Sequence, residues 1–231
     1  MAEPVLICWS GGKDSSLALQ SALGDPSLRI EALITTVTEG YERISMHGVR
    51  CSLLQQQADA IGFPLEQVRI PQSASNEIYE AAMEKRFLHH RALGVKRVIF
   101  GDLFLQDIRR YREANLEKLH MSGIFPLWQM DTRKLAHDFI AAGFKAILVC
   151  IDPKQIDPKF CGRLFDEELL AELPSSADPC GENGEFHTFV YDGPIFHHPV
   201  GVQKGAIVYR DGFWFCDLTL ATPVQGRASS R

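Results

Sequence analysis

Apolar positions along this chain change period again and again. Val5 to Cys8 form an unbroken apolar run that Trp9 and two glycines end, which predicts a buried strand over "PVLICW". From Asp14 the period lengthens. Ala18, Leu19, Ala22 and Leu23 share one face of a predicted helix that Gly24 and Pro26 stop. "RIEALITTV", rich in β-branched residues, predicts a second strand. Leu54, Ala58 and Ile61 then keep helical spacing, with Gly62 just past the end. "PLEQVRI" is a third strand. Tyr79, Met83 and Phe87 recur every fourth residue in a helix over 75–93 that Gly94 stops. "VKRVIFGD" is a fourth strand, and a helix over 106–121 follows.

Strand and helix in alternation at this spacing imply βαβ units, right-handed crossovers and a parallel sheet with helices on both faces. The pattern shifts after Phe125. A turn at Pro126 leads to a helix aligning Leu135 with Phe139, a strand over 146–151, Pro-rich turns and a short acidic helix over 166–173. "GAIVYRDGFWFCDLTLA" reads as a hairpin around Asp211-Gly212. The expected organisation is an α/β domain over 1–122, a smaller α+β domain over 123–225 and a frayed tail over 226–231.

The bulk numbers narrow this reading. At 231 residues and 45% hydrophobic, the chain can bury a sizeable core. A net charge of −5 without a long run of one sign makes a nucleic-acid partner unexpected. The short basic cluster Arg109, Arg110, Arg112 reads as a solvated helix face. No stretch approaches the ~18 apolar residues of a membrane span, and no signal peptide is recognisable at the start. The six cysteines include no CxxC pair, so reduced, mostly buried thiols in the cytoplasm are expected, without a structural zinc site. His89-His90 and His197-His198 lack metal-ligand spacing and are expected at the surface.

The candidate chemistry sits between the first strand and the first helix. "SGGKDS", Ser10 to Ser15, combines two glycines, a lysine, an acid and hydroxyls at the sheet edge where open α/β folds bind ligands. Glycines let the backbone approach a ligand closely, and the helix N-terminus behind them favours an anion. This is not a Walker A loop, G-x-x-x-x-G-K-[ST], because Ile7 stands five before Gly12 and Asp14 follows Lys13.

"SGGKDS" resembles the PP-loop of the ATP-pyrophosphatase superfamily, whose members split ATP between the α- and β-phosphates. The resemblance implies a Rossmann-like fold of the adenine-nucleotide α-hydrolase type. It also implies that Ser10, Gly11, Gly12, Ser15 and Ser16 cradle phosphates, that Lys13 offsets their charge and that Asp14 helps hold Mg²⁺. Three further stretches, "MHGVR", "FGDLFLQDIRRYRE" and "DPCGENGEFHTFVYDGPIF", make nearly the whole chain similar to the diphthine–ammonia ligase family, which performs the last amidation in making diphthamide. Expected substrates are therefore ATP, ammonium and a carboxylate acceptor. That acceptor is diphthine on elongation factor 2 or, given the bacterial look of "MHGVR", another carboxylate.

Other positions follow from place along the chain. Thr35 and Thr36 end the second strand, where their backbone can meet adenine, and His47 lies in the loop beyond. Gly101 and Asp102 end the fourth strand at the ligand edge. Glu182, Asn183, Glu185, His187 and Thr188 bring two carboxylates, an amide, an imidazole and a hydroxyl within seven residues. Glu185, His187 and Phe189 would share one strand face. By resemblance this cluster handles the acceptor, and Glu182, Glu185 or His187 takes the ammonia proton. The expected function is an AMP-forming amide ligase. Two alternatives stand beside it, a PP-loop enzyme modifying tRNA and an ATP-binding sensor without turnover. The edge of the late hairpin suggests a homodimer.

Overall fold

The computed structural model describes residues 2–40, 43–44 and 48–221. His47 and the tail over 226–231 lie outside the described residues.

The first sheet contains β1 (Glu3–Cys8), β2 (Leu28–Thr38), β3 (Arg43–Ile44), β4 (Leu65–Ile70), β5 (Arg97–Ile99) and β6 (Ser122–Ile124). Four helices connect them: α1 (Lys13–Leu23), α2 (Cys51–Ile61), α3 (Asn76–Ala92) and α4 (Gln106–Lys118). The strands β4, β2, β1, β5 and β6 lie side by side and parallel. Among the described strands of this sheet, only β3 runs antiparallel, against the end of β2. Numbering the parallel strands in chain order gives 3-2-1-4-5, the doubly wound Rossmann order, whose switch point falls between β1 and β5.

Alternation along β1 sends side chains to opposite layers. Val5 and Ile7 pack with Leu19 and Ala22 of α1 and Leu53 and Ala58 of α2. Leu6 packs on the other face with Met83 and Phe87 of α3 and Leu116 of α4. A strand buried on both faces has no polar phase, which is why "VLIC" reads as a continuous run.

The rest of the chain adds α5 (Thr132–Ala141), β7 (Lys145–Ile151), α6 (Glu167–Glu172), β8 (Phe186–Asp192), β9 (Val202–Arg210) and β10 (Phe213–Leu220). These strands form an antiparallel sheet in the order β8-β7-β10-β9. The hairpin turn uses Asp211 and Gly212, both at positive φ as its geometry demands. Its core is continuous with one face of the first sheet, since Phe139, Ile147 and Phe189 join the cluster that holds Val5 and Ile7. Backbone bonds stitch the halves together: the Val190 N–H donates to the Gly11 carbonyl at 2.9 Å, and the His197 N–H to the Ala60 carbonyl at 2.8 Å.

Three expectations need correction. Leu23 is half exposed, because α1 ends there and its buried stripe stops at Ala22. His90 is buried, not at the surface. It continues the stripe of Met83 and Phe87 one turn on, and the Glu66 carboxylate on β4 meets its Nε2 at 3.0 Å. The basic cluster is not a solvated face. Arg109 lies over the rings of Phe125 and Trp128, and Arg112 lies over Phe100, each within 4.7 Å of the ring centre. Arg110 alone of the three stands in solvent.

Candidate active site

A cleft of about 340 Å³ opens at the carboxyl ends of β1, β2 and β5, the place where such sheets bind ligands. The loop after β1 forms its floor. Gly11, at φ +76°, turns the chain, and a Cβ there would stand 2.6 Å from Leu54 Cδ1. Gly101 at the end of β5 packs against the Asp14 backbone, with no room for a side chain. Both glycines let two backbones approach closely.

The loop is braced from beneath by a residue that carries no motif. Gln57 of α2 is fully buried. Its Nε2 donates to the Gly11 and Val190 carbonyls, and its Oε1 accepts from Trp9 Nε1 at 2.8 Å. The signal that could have found it is a polar residue on the buried face of α2, one turn after Leu53 and Leu54.

Ser10, Gly12, Lys13, Asp14 and Ser15 line the cleft, whereas Gly11 and Ser16 do not. The Ser16 hydroxyl donates back to the Gly12 carbonyl at 2.9 Å and is wholly buried. That bond shapes the first turn of α1. Lys13 is 2% exposed, and its Nζ bridges both Asp14 carboxylate oxygens at 2.8 Å. Burial opposes its charge, but the Asp14 carboxylate overcomes this and holds its pKa above the ordinary lysine value. Its ammonium also stands 6.0 and 5.8 Å from the ring centres of Phe165 and Phe186.

On the β2 and β5 side, Thr35, Thr36, Gly101 and Asp102 all line the cleft. The Thr35 hydroxyl is buried without a hydrogen-bond partner, an orphan polar atom beside a cleft that a ligand can satisfy. Asp102 pairs with Arg112 of α4, Nε to Oδ2 at 2.8 Å and Nη2 to Oδ1 at 3.1 Å. Asp102 is therefore held by a neighbouring cation, and Arg112 joins the cleft wall. Sequence reading missed Arg112 because a helix face of arginines looks solvated until the aromatic rings beneath it are placed.

The second sheet closes the cleft. Gly181, Glu182, Gly184, Phe186, His187 and Thr188 contribute to its wall. Glu182 Oε1 accepts from the Leu103 N–H at 2.9 Å. Burial pushes its carboxyl up to about 7, although that hydrogen bond favours the charged form. His187 is pushed down to about 4, first by burial and then by the Lys13 charge. At neutral pH it is an uncharged imidazole. Glu185 does not reach the cleft. It precedes β8 instead of alternating along it, and its Oε1 accepts from the Asp178 N–H at 2.8 Å and from Asn183 Nδ2 at 3.0 Å. It organises the loop that carries Glu182.

Residues 3–121 match the diphthamide synthase N-terminal domain, and residues 131–224 match the diphthamide synthase C-terminal domain. The chain belongs to the diphthamide synthase family. It is 27% identical over 177 residues to the diphthine–ammonia ligase of Mus musculus, covering 74% of this chain and 66% of that protein. Against the Homo sapiens diphthine–ammonia ligase it is 30% identical over 110 residues, 45% of this chain and 41% of that one. Against that of Schizosaccharomyces pombe it is 27% identical over 128 residues, 53% of this chain and 21% of that one. The matches thus span from about a fifth to just under two thirds of these relatives' lengths. Among the described residues, no helix is long and apolar enough to cross a membrane.

Proposed function

We propose that this protein is an ATP-dependent, AMP-forming amide ligase that joins ammonia to a carboxylate. The observation that carries the reading is the convergence of the loop pair Lys13–Asp14 with Glu182 and His187 in one cleft. The names of the relatives support the ammonia-ligase part of the reading.

The reading explains why each group is needed. A carboxylate is a poor electrophile, and its oxygen is a poor leaving group. In the first step the acceptor oxygen bonds to the α-phosphorus of ATP, the bond to the β-phosphate oxygen breaks, and pyrophosphate departs. Preorganised positive charge is what such a transfer requires. Lys13 supplies it, along with the N-terminal end of α1. Asp14 is a hard oxygen donor with 29% of its side chain exposed, which suits it to Mg²⁺ beside phosphate oxygens. When bound, that ion would neutralise charge on the phosphates. In the second step ammonia attacks the acyl carbon, the bond to AMP breaks, and one proton must leave the nitrogen. Glu182, with its carboxyl near 7, is matched to accept that proton at neutral pH. His187 stays neutral and can only share a hydrogen bond. Phe165 and Phe186 exclude water around Lys13.

The cysteines argue against thiolation of a base. Cys8 in the cleft wall and Cys180 near Lys13 are both pushed up to about 12, chiefly by burial. A thiol so far from ionisation is a weak nucleophile.

Incubation with ATP, Mg²⁺, ammonium and a diphthine-bearing elongation factor 2, or a panel of small carboxylates, tests the assignment. Stoichiometric AMP, pyrophosphate and amide are expected. ADP as the sole product overturns it, and tight ATP binding without turnover identifies a sensor.

A further inference from the structure

The second sheet has two edges, and the fold treats them differently. β8 is the inner one. The Val190 N–H donates to the Gly11 carbonyl, and Gln57 Nε2 donates to the Val190 carbonyl, so the loop after β1 covers it. β9 is the outer one. Every residue of it from Gln203 to Arg210 is exposed. Ile207, Val208 and Tyr209 stand at 50, 43 and 58%. Edge strands are ordinarily protected by shortness, charge, proline or a covering element. β9 is nine residues long, and its stretch 205–209 contains neither charge nor proline.

The hairpin register shows which backbone groups face outward. The two-residue turn at Asp211-Gly212 makes Arg210 and Phe213 a hydrogen-bonded pair. Bonded and non-bonded pairs alternate from there. Val208 therefore bonds to Phe215. Ile207 and Tyr209, opposite Cys216 and Trp214, turn their N–H and C=O groups to the open edge. Among the described residues nothing receives them. The hairpin behind this edge is anchored. Asp217 of β10 accepts from Arg50 Nε and Nη2 at 3.0 and 2.6 Å and from Arg43 Nη2 at 2.9 Å. The hairpin face with Phe213 and Phe215 is already in use. It lines a cavity of about 230 Å³ that shares His187 with the nucleotide cleft.

We propose that β9 pairs antiparallel with β9 of a second copy of this chain, about a two-fold axis through Val208. In that register Ile207 faces the second copy's Tyr209, and symmetry repeats the pair. Each pair exchanges both backbone bonds. Its aliphatic and aromatic side chains pack beside Trp214, whose ring centre lies 5.4 Å from that of Tyr209. Asp211 comes opposite the second copy's Gly205, next to its Lys204, so opposite charges meet at both ends of the seam. Neighbouring registers fit worse. An axis through Ile207 sets Tyr209 against Gly205 and Lys204 against Arg210, two like charges. An axis through Ala206 sets Ile207 against Gly205 and Tyr209 against Gln203. The two four-stranded sheets become one of eight strands, with both copies of β8, and so both clefts, at its far ends. The pairing does not depend on which reaction the cleft performs.

Sedimentation velocity and crosslinking test it. The full chain should sediment as a dimer from micromolar concentrations upward. Ile207→Lys changes an exposed position, so the circular-dichroism spectrum should stay that of the wild type. The dimer dissociation constant should rise about a hundredfold or more, because symmetry puts two unpaired ammonium groups in the seam. Val208→Cys sets two thiols at a non-hydrogen-bonded pair, where Cα atoms stand about 4.5 Å apart, within disulfide reach. Mild oxidation should link its chains, and should not link those of Ala206→Cys, Ile207→Cys or the wild type, whose own cysteines are buried except for the half-buried Cys8. A chain still monomeric near a millimolar overturns the proposal. So does a dimer that Ile207→Lys leaves intact, a Val208→Cys variant that fails to link, or linkage that favours Ala206→Cys or Ile207→Cys.

Discussion

The backbone N–H of Lys13 donates to the Thr188 hydroxyl at 3.0 Å, across 175 positions of sequence. This bond fastens the first residue of α1 to the middle of β8. The phosphate-type loop and the strand carrying His187 therefore form one rigid piece. Whatever binds above Lys13 meets groups from both halves of the protein.

Lys13 and Asp14 should be inseparable. Lys13→Met removes the buried cation and leaves the Asp14 carboxylate without its partner at 2.8 Å. Loss of a preorganised charge at a transferring phosphoryl group costs roughly 10²–10³ in rate. We expect pyrophosphate release to fall by about that factor, with comparable losses for Asp14→Ala. Single-turnover assays with labelled ATP would check both, and full activity in either variant removes these residues from the chemistry.

Glu182 should set the acidic limb of the pH profile. Its carboxyl stands near 7, and the proton-accepting form exists only above that value. With the concentration of free ammonia held constant across the series, the rate of amide formation should therefore rise with pH through about 7 and level off above it. His187, near 4, is already neutral there and contributes no limb between pH 5 and 8. Glu182→Gln should abolish the pH dependence together with most of the rate. A profile that persists in Glu182→Gln would assign the proton to another group.

Gln57 should matter for stability although it touches no ligand. Gln57→Leu leaves the Trp9 N–H and the Val190 carbonyl without their side-chain partner in the core. Each unsatisfied buried group costs about 1–3 kcal/mol. A total loss of about 2–4 kcal/mol is expected from urea unfolding, and a loss below about 0.5 kcal/mol would show that the loop does not need this brace.

Asp217 links β3 and the start of α2 to the late hairpin. Hydrogen bonding from Arg50 holds its carboxyl below the ordinary value of 3.8. A lowered carboxylate pKa adds stability above the unfolded value, and this is lost as pH falls through the folded one. Arg50 is 43% exposed, so solvent screening limits the pair to about 1 kcal/mol. Asp217→Asn should be less stable than the wild type by that amount at pH 7, and the difference should shrink as pH falls below 3.8 and vanish below the folded-state value. Denaturant titrations at both pH values would show it, and a constant difference would rule out an ionic origin.

Much of this is legible in the sequence alone. Alternating buried runs and amphipathic helices announced a parallel sheet, and "SGGKDS" marked its ligand edge. The late hairpin followed from Asp211-Gly212 between β-rich arms. What escaped had physical reasons. A strand as short as β3 or β6 carries no period to read. Arg112 looked solvated because its partners, Phe100 and Asp102, lie a helix turn or more away in sequence and only folding brings them beneath it. Glu185 and Glu182 looked equivalent. Hydrogen bonds to Asp178 and Asn183 turn Glu185 into the loop and leave Glu182 alone at the cleft.

The sequence by itself determined the period of each element, the sheet type, and a loop whose glycines, lysine and acid suit phosphate. These are local properties, written in neighbouring residues. The tertiary structure decided which distant groups share a space. It set Glu182 and His187 over Lys13, buried them enough to move their protonation in opposite directions of charge, and opened a second cavity behind His187. Those outcomes depend on strand order and on the depth of burial, because desolvation and Coulomb forces act through space and not along the chain.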